Sequence, residues 1–323
     1  MGRGRLEVGG VRRIGVVFPG QGSQALGMGV DVAKHSTAAS DLFDMAQTVL
    51  GYDLLGLQRT GPEERLRETE YSQPAIFVTN VAIFAALELP AESLIVSAGH
   101  SFAEYCSLYI AQAIGFEDAL RVVNARGIAM QRAAELAAGG MSAVLGMDAE
   151  AIRTVVSQVR EQTGLRVQLA NFNSPAQIVI SGDLRGVQAA GEALTAAGAK
   201  RVVPLNVSGA WHSALMEPAL EHFAHVVQAA PFTLPRFDVV SNVDAQPYRD
   251  VETIKKNLVL SVTNEVRWHE TALRVVSYGL DLVIECGASP VLGPLIKRLP
   301  GAPEVVLVSD YAGAQKLRSV VTA

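Results

Sequence analysis

Apolar positions along the chain follow two alternating rhythms. The run IGVVFPG (Ile14–Gly20) is short, unbroken and stopped by Pro-Gly, which predicts a buried strand. Helical spacing follows through DLFDMAQTVL and PAIFVTNVAIFAALEL, and SLIVSAGHS (Ser93–Ser101) is a second buried strand that turns directly into AEYCSLYIAQAI. A single long helix is predicted from Glu117 to Leu136. Strands alternating with helices predict a parallel sheet covered on both faces. Between Gly139 and Val207 the order changes. The segments MSAVLGM, DAEAIRTVVSQVREQ, RVQLANFN, QIVISG, LRGVQAAGEALTAAG and RVVPLNV read as β-α-β-β-α-β, the ferredoxin-like pattern, complete in itself. The parent pattern resumes with a strand at Asp238–Val243, a helix near Ala272–Tyr278 and the strand DLVIEC before Gly287. The expected organisation is a catalytic subdomain over 14–138 and 208–310, a ferredoxin-like insert over 139–207 and a flexible basic tail over 1–13. No low-complexity linker joins the two parts, so the insert should be docked rather than tethered.

Composition narrows the function classes. Of 323 residues 49% are hydrophobic and 18% charged, so the chain has ample apolar surface to offset its ordering entropy, and disorder is excluded. Lys plus Arg is 27 against 32 Asp plus Glu, a net charge of −5, which argues against nucleic acid as partner. Two cysteines, Cys106 and Cys286, are too few for a disulfide framework and read as reduced thiols. The opening MGRGRLEVGGVRR has no apolar core of a signal peptide, and Leu6 stands where myristoylation needs Ser or Thr. No apolar run reaches membrane-spanning length. The expectation is a cytoplasmic protein with no membrane association.

The sharpest chemical feature is Gly99-His100-Ser101-Phe102-Ala103, at a strand-to-helix turn. It is close to G-x-S-x-G, the nucleophile elbow, in which small residues flank a tight turn that lifts the serine hydroxyl. Alanine in the last place adds one methyl and tolerates negative φ. The bland alternative is an ordinary serine cap. A nucleophilic serine needs a base. His212, in the loop NVSGAWHSALM, is free to face a cleft, whereas His100 should point away from the hydroxyl. His222 and His225 lie three apart on a helix with no evident third ligand, so no metal site is expected. Arg126 falls inside the apolar stripe Ala119, Val122, Val123, Met130, Ala133 of its helix, beside Gly127. A guanidinium there must meet either an internal carboxylate or the carboxylate of a substrate. Gly20–Ala25 matches a dinucleotide fingerprint, but Pro19 interrupts the strand-to-loop transition and no acidic strand end follows, so no such cofactor is expected.

Nine segments in order, VFPGQGSQALGMG, TEYSQPAIF, GHSFAEY, NARGIAMQ, NFNSPAQIVISG, GAWHSALM, SNVDAQP, VTNEVRW and ECGASPVLGPL, resemble the malonyl-CoA:acyl-carrier-protein transacylase family. The resemblance runs from Ile14 to Leu299. It implies an α/β fold, an α/β-hydrolase-like large subdomain with a ferredoxin-like insert. It also implies Ser101 as acyl-accepting nucleophile, His212 as base, and Arg126 as the partner of the malonyl carboxylate. The N–H groups of Gln21 and Phe102 would form the oxyanion hole. Met130 and Trp211 would line the acyl pocket, and a bulky indole at 211 would favour unbranched malonyl. The family orients its histidine through a main-chain carbonyl near a glutamine; here that position is Ser261.

The implied reaction moves a malonyl group from coenzyme A, through a seryl ester, to the phosphopantetheine thiol of an acyl carrier protein, in fatty-acid or polyketide synthesis. No metal or redox cofactor is implied. Four alternatives stay open. They are a thioester hydrolase on the same scaffold, transfer of a polar extender such as hydroxymalonyl or aminomalonyl, an esterase with an acid oriented toward His212, and a docking module without activity. Lys200-Arg201, Lys255-Lys256 and Lys297-Arg298 are candidates for a basic rim that would receive an acidic carrier protein.

Overall fold

The computed structural model describes residues 12–321, so the tail expected over 1–13 lies almost wholly outside the described residues. In chain order the strands are β1 (Ile14–Phe18), β2 (Leu94–Gly99), β3 (Gly139–Leu145), β4 (Val167–Ser174), β5 (Gln177–Asp183), β6 (Arg201–Pro204), β7 (Asp238–Val239), β8 (Leu282–Cys286) and β9 (Glu304–Val308). A parallel sheet runs β7-β2-β1-β8-β9. Every residue of β1 and β8 is buried, because helices cover both faces, and the one charged residue among them, Glu285, accepts the N–H groups of Val291, Leu292 and Gly293.

Pairing of Phe18 with Gly99 brings the ends of β1 and β2 together, and the N–H of His100 donates to the carbonyl of Phe18 at 2.9 Å. The loop after β1 therefore lies against the turn after β2. A Cβ at Gly20 would sit 2.5 Å from the carbonyl oxygen of His100, so only glycine permits the approach. This carboxyl edge of a parallel sheet is where ligands bind in open α/β folds.

The Thr69–Leu87 helix has 15 of its 19 residues buried and is a core element rather than a surface one. It begins before Pro74, where the apolar pattern placed its start, and the extra turn carries Thr69 and Gln73 toward the sheet edge. The Phe116–Leu136 helix packs across it at Gly127, where an added Cβ would lie 2.8 Å from the carbonyl oxygen of Thr69.

The second sheet is antiparallel, in the order β4-β5-β3-β6. With the Ala149–Thr163 and Leu184–Ala196 helices it forms the ferredoxin-like unit, with its own core that includes Ile152, Val156, Ile178, Ile180 and Leu194. The unit is docked by main-chain bonds: Phe172 N–H donates to the Val266 carbonyl at 2.9 Å, and Val266 N–H to the Ala170 carbonyl at 2.8 Å.

Two elements differ from the pattern. The strand expected over Asp238–Val243 stops at Val239; Val240 bridges to Pro247 and the chain turns, so that Asn242 reaches under the Gly99–Ser101 turn. Strand β9, carried by the short apolar run over 305–308 and not among the expected elements, pairs with β8 at the sheet edge and is only partly buried. Beyond residue 310 the Tyr311–Val321 helix adds Ala314 and Leu317 to the main core. Among the described residues, no helix is long and apolar enough to cross a membrane.

Replacing Gly127 by alanine should lower stability by about 1–3 kcal/mol, the usual cost of overpacking, because the contact is to backbone that cannot rotate away. Chemical denaturation checks this, and an unchanged midpoint would contradict the close approach.

Candidate active site

Ser101 begins a single 3-10 turn that continues into the short Glu104–Ile110 helix. Its φ is +56°, a left-handed conformation that costs a non-glycine residue about 1–3 kcal/mol and persists only when neighbours hold it. Asn242 does so from below. Its Oδ1 accepts the Ser101 N–H at 2.7 Å and its Nδ2 donates to the Gly99 carbonyl at 2.8 Å. Glu104 fixes Asn242 in turn, accepting its N–H at 3.0 Å and a hydrogen bond from the Tyr248 hydroxyl. Burial pushes the Glu104 carboxyl up to about 7, against the Tyr248 and Asn242 donors that lower it. A Cβ at Gly99 would lie 2.0 Å from the carbonyl of Ala103, so glycine is obligatory there. Ala103 has φ −65° and needs no glycine, as its place in the elbow suggested.

His212 Nε2 stands 2.8 Å from Ser101 Oγ. Its Nδ1 lies 2.7 Å from the carbonyl oxygen of Ser261, which cannot donate, so the proton resides on Nδ1 and Nε2 is free to accept from the serine. An acid in this place would mark an esterase triad; a main-chain carbonyl occupies it instead. The hydroxyl of Ser261 donates to the Leu258 carbonyl at 2.8 Å and takes no part in holding the ring. Burial, and then the nearby charge of Arg126, push the His212 imidazole down to about 3.

Arg126 is 1% exposed. Its Nη1 donates to Gln73 Oε1 at 2.9 Å and its Nη2 to Ser101 Oγ at 3.3 Å, while Nε has no partner. Among the described residues no carboxylate forms an ion pair with it. Burial lowers its pKa to about 10, so it stays charged at neutral pH. The internal-carboxylate reading of Arg126 is thereby removed.

Gln21, Ser101, Arg126, Met130, Trp211 and His212 line one cavity of about 560 Å³. The Gln21 side chain is anchored, its amide donating to Thr69 Oγ1 at 2.7 Å. Phe102 is buried immediately after Ser101. The indole of Trp211 lies against Gly209 and fixes one wall. Glu63, Glu64, Arg67 and Glu68 also contribute to the lining. None of the three basic pairs expected at a rim lines this cavity.

His100 turns aside as expected, its Nε2 within 2.9 Å of Asn173 Oδ1 and its ring tilted against Trp268. His225 Nδ1 meets the Glu221 carbonyl, and among the described residues no three potential metal ligands cluster. The residues missed from sequence are Gln73, Glu104 and Asn242. Gln73 had a visible signal, a polar residue at the head of an apolar helix; the others act across long sequence separations that no local pattern shows.

Comparison with known proteins agrees with this geometry. The model of the acyl transferase domain family matches residues 16–301. The malonyl CoA-acyl carrier protein transacylase of Bacillus subtilis is 39% identical over 298 residues, covering 92% of this chain and 94% of that protein. An acyl carrier protein S-malonyltransferase from Vibrio cholerae superposes with a TM-score of 0.88 at 38% identity, covering 94% of this chain and 99% of that one. A malonyl-transacylase solved in complex with a type II polyketide synthase acyl carrier protein superposes with a TM-score of 0.89 at 39% identity, covering 95% and 99%.

The burial of His212 has a measurable consequence. An unfolded histidine titrates near about 6.5, whereas in the folded chain this ring resists protonation down to about 3. Between those values the unfolded state binds more protons, so this residue's contribution to stability is present above about 6.5 and falls as pH drops through the window. Nuclear magnetic resonance of the His212 imidazole should show it neutral at pH 5; a midpoint near 6.5 would contradict the buried placement.

Proposed function

Because the chain belongs to the acyl transferase domain family, we infer that it moves a malonyl group from coenzyme A to the phosphopantetheine thiol of an acyl carrier protein through an ester on Ser101. The observation that carries this reading is the un-neutralised guanidinium of Arg126, 3.3 Å from the Ser101 hydroxyl on the wall of one cavity. A short diacid esterified at Ser101 would put its free carboxylate against that charge. A neutral acyl group would leave the guanidinium uncompensated.

The steps follow from the geometry. His212 Nε2 takes the Ser101 proton as Oγ attacks the thioester carbonyl carbon. Negative charge then builds on the former carbonyl oxygen. The N–H groups of Gln21 and Phe102 are assigned to meet it, an arrangement worth about 3–4 kcal/mol per typical donor. The Nδ1–H bond to the Ser261 carbonyl keeps the imidazolium in place until the C–S bond breaks and the coenzyme A sulfur takes the proton. The carrier thiol reverses the sequence. It gives its proton to His212, attacks the ester carbonyl and restores the Ser101 hydroxyl. Ser101, His212 and the thioester handle every proton and electron pair, so the proposal assigns no metal or redox cofactor. The fixed indole of Trp211 supports an unbranched acyl group, and the use of coenzyme A thioesters supports a cytoplasmic reaction.

Incubation with malonyl-CoA should leave a long-lived malonyl adduct on Ser101, read by mass spectrometry, which carrier protein discharges. Arg126→Ala should cut malonyl transfer about a hundredfold or more, the scale of losing one side of a buried charge pair, and leave acetyl transfer nearly unchanged. Rapid loss of the adduct to water would indicate a hydrolase, and unchanged discrimination between malonyl and acetyl would refute the role of Arg126.

A further inference from the structure

Gln168 lies on β4 of the ferredoxin-like unit and does not itself line the cavity, yet its amide is fully engaged with the segments that carry the base. Its Nε2 donates to the main-chain carbonyl of His212 at 3.2 Å and to that of Thr263 at 3.0 Å. Its Oε1 accepts the N–H of Ala214 at 3.2 Å. One side chain thus ties together the loop that bears His212 and the turn two residues beyond Ser261, whose carbonyl holds the imidazole. His212 itself has φ +58°, a strained conformation for a residue with a side chain, and so needs external support. The Ser261 hydroxyl, which is engaged with Leu258, does not supply it, and among the described residues no carboxylate bonds to the His212 ring.

We propose that Gln168 is a positioning residue for the acyl transfer: it sets the distance between the His212 ring and the Ser261 carbonyl and thereby keeps the proton on Nδ1 and the lone pair aimed at Ser101. The small subdomain then does more than cover the site, because it completes the orientation of a base that belongs to the larger one. This inference rests on the acyltransferase reading for its kinetic consequence, but its structural consequence can be measured without turnover.

The test uses Gln168→Met, which keeps length and packing while removing all three hydrogen bonds, and Gln168→Glu, which keeps the acceptor for Ala214 and turns an anion toward two carbonyls. Two readouts are needed. The first is the nitrogen chemical shifts of His212, which report the Nδ1–H tautomer in resting enzyme. The second is the rate of Ser101 acylation by malonyl-CoA as kcat and KM. The expected result is a mixed tautomer in both variants, with kcat lowered roughly tenfold to a hundredfold, the scale of an ångström-sized misplacement. KM for malonyl-CoA should stay within about twofold, because Gln168 does not line the cavity. A wild-type tautomer in Gln168→Met overturns the proposal, as does a rise in KM at unchanged kcat. If wild-type enzyme forms no adduct on Ser101, the acyltransferase reading fails while the tautomer measurement still decides the role of Gln168.

Discussion

A buried guanidinium without a carboxylate is the constraint around which the site is arranged. Removing an ion from water is expensive, and proteins ordinarily offset that cost with an opposite charge. Among the described residues the hydrogen-bond acceptors of Arg126 are the Gln73 carbonyl oxygen and the Ser101 hydroxyl, both neutral. The close helix packing at Gly127 fixes the backbone that bears it, and the early start of the Thr69–Leu87 helix brings Gln73 into reach. The resting protein therefore holds a positive charge in reserve at the place where an acyl chain would end.

That charge also acts on the base. Arg126 is the second cause, after burial, of the depressed His212 pKa. A bound malonyl carboxylate would oppose that second contribution, while burial, the larger cause, would still hold the imidazole neutral. The guanidinium that would meet the far end of the substrate and the base that serves its near end thus face the same cavity. The Nδ1 bond to the Ser261 carbonyl, supported by the Gln168 clamp, holds the ring toward Ser101.

Much of this was legible in the chain. The Gly99–Ala103 pentapeptide announced a turn that lifts a serine, and the structure adds the reason, a left-handed Ser101 and no room for a Cβ at Gly99. Arg126 stood out because charge at an apolar position of a helix demands a partner. His212 was one candidate among six histidines until family resemblance singled it out, since a loop residue carries no periodic signal. Asn242, Glu104 and Gln168 escaped detection because their partners lie across the fold and a polar side chain of this kind resembles any surface residue in sequence. Strand β9 was legible in principle, because 305–308 is a continuous apolar run, but at four residues between polar neighbours it is too short to tell a strand from a buried turn of helix.

The claim that Arg126 waits for a carboxylate is tested most directly with two donors that differ in charge and little else. Rates of Ser101 acylation should be compared for malonyl-CoA and for its terminal amide, in which a neutral group of the same shape replaces the carboxylate. The account predicts acylation by the amide to be slower by about a hundredfold or more. Equal rates from the two donors would contradict it.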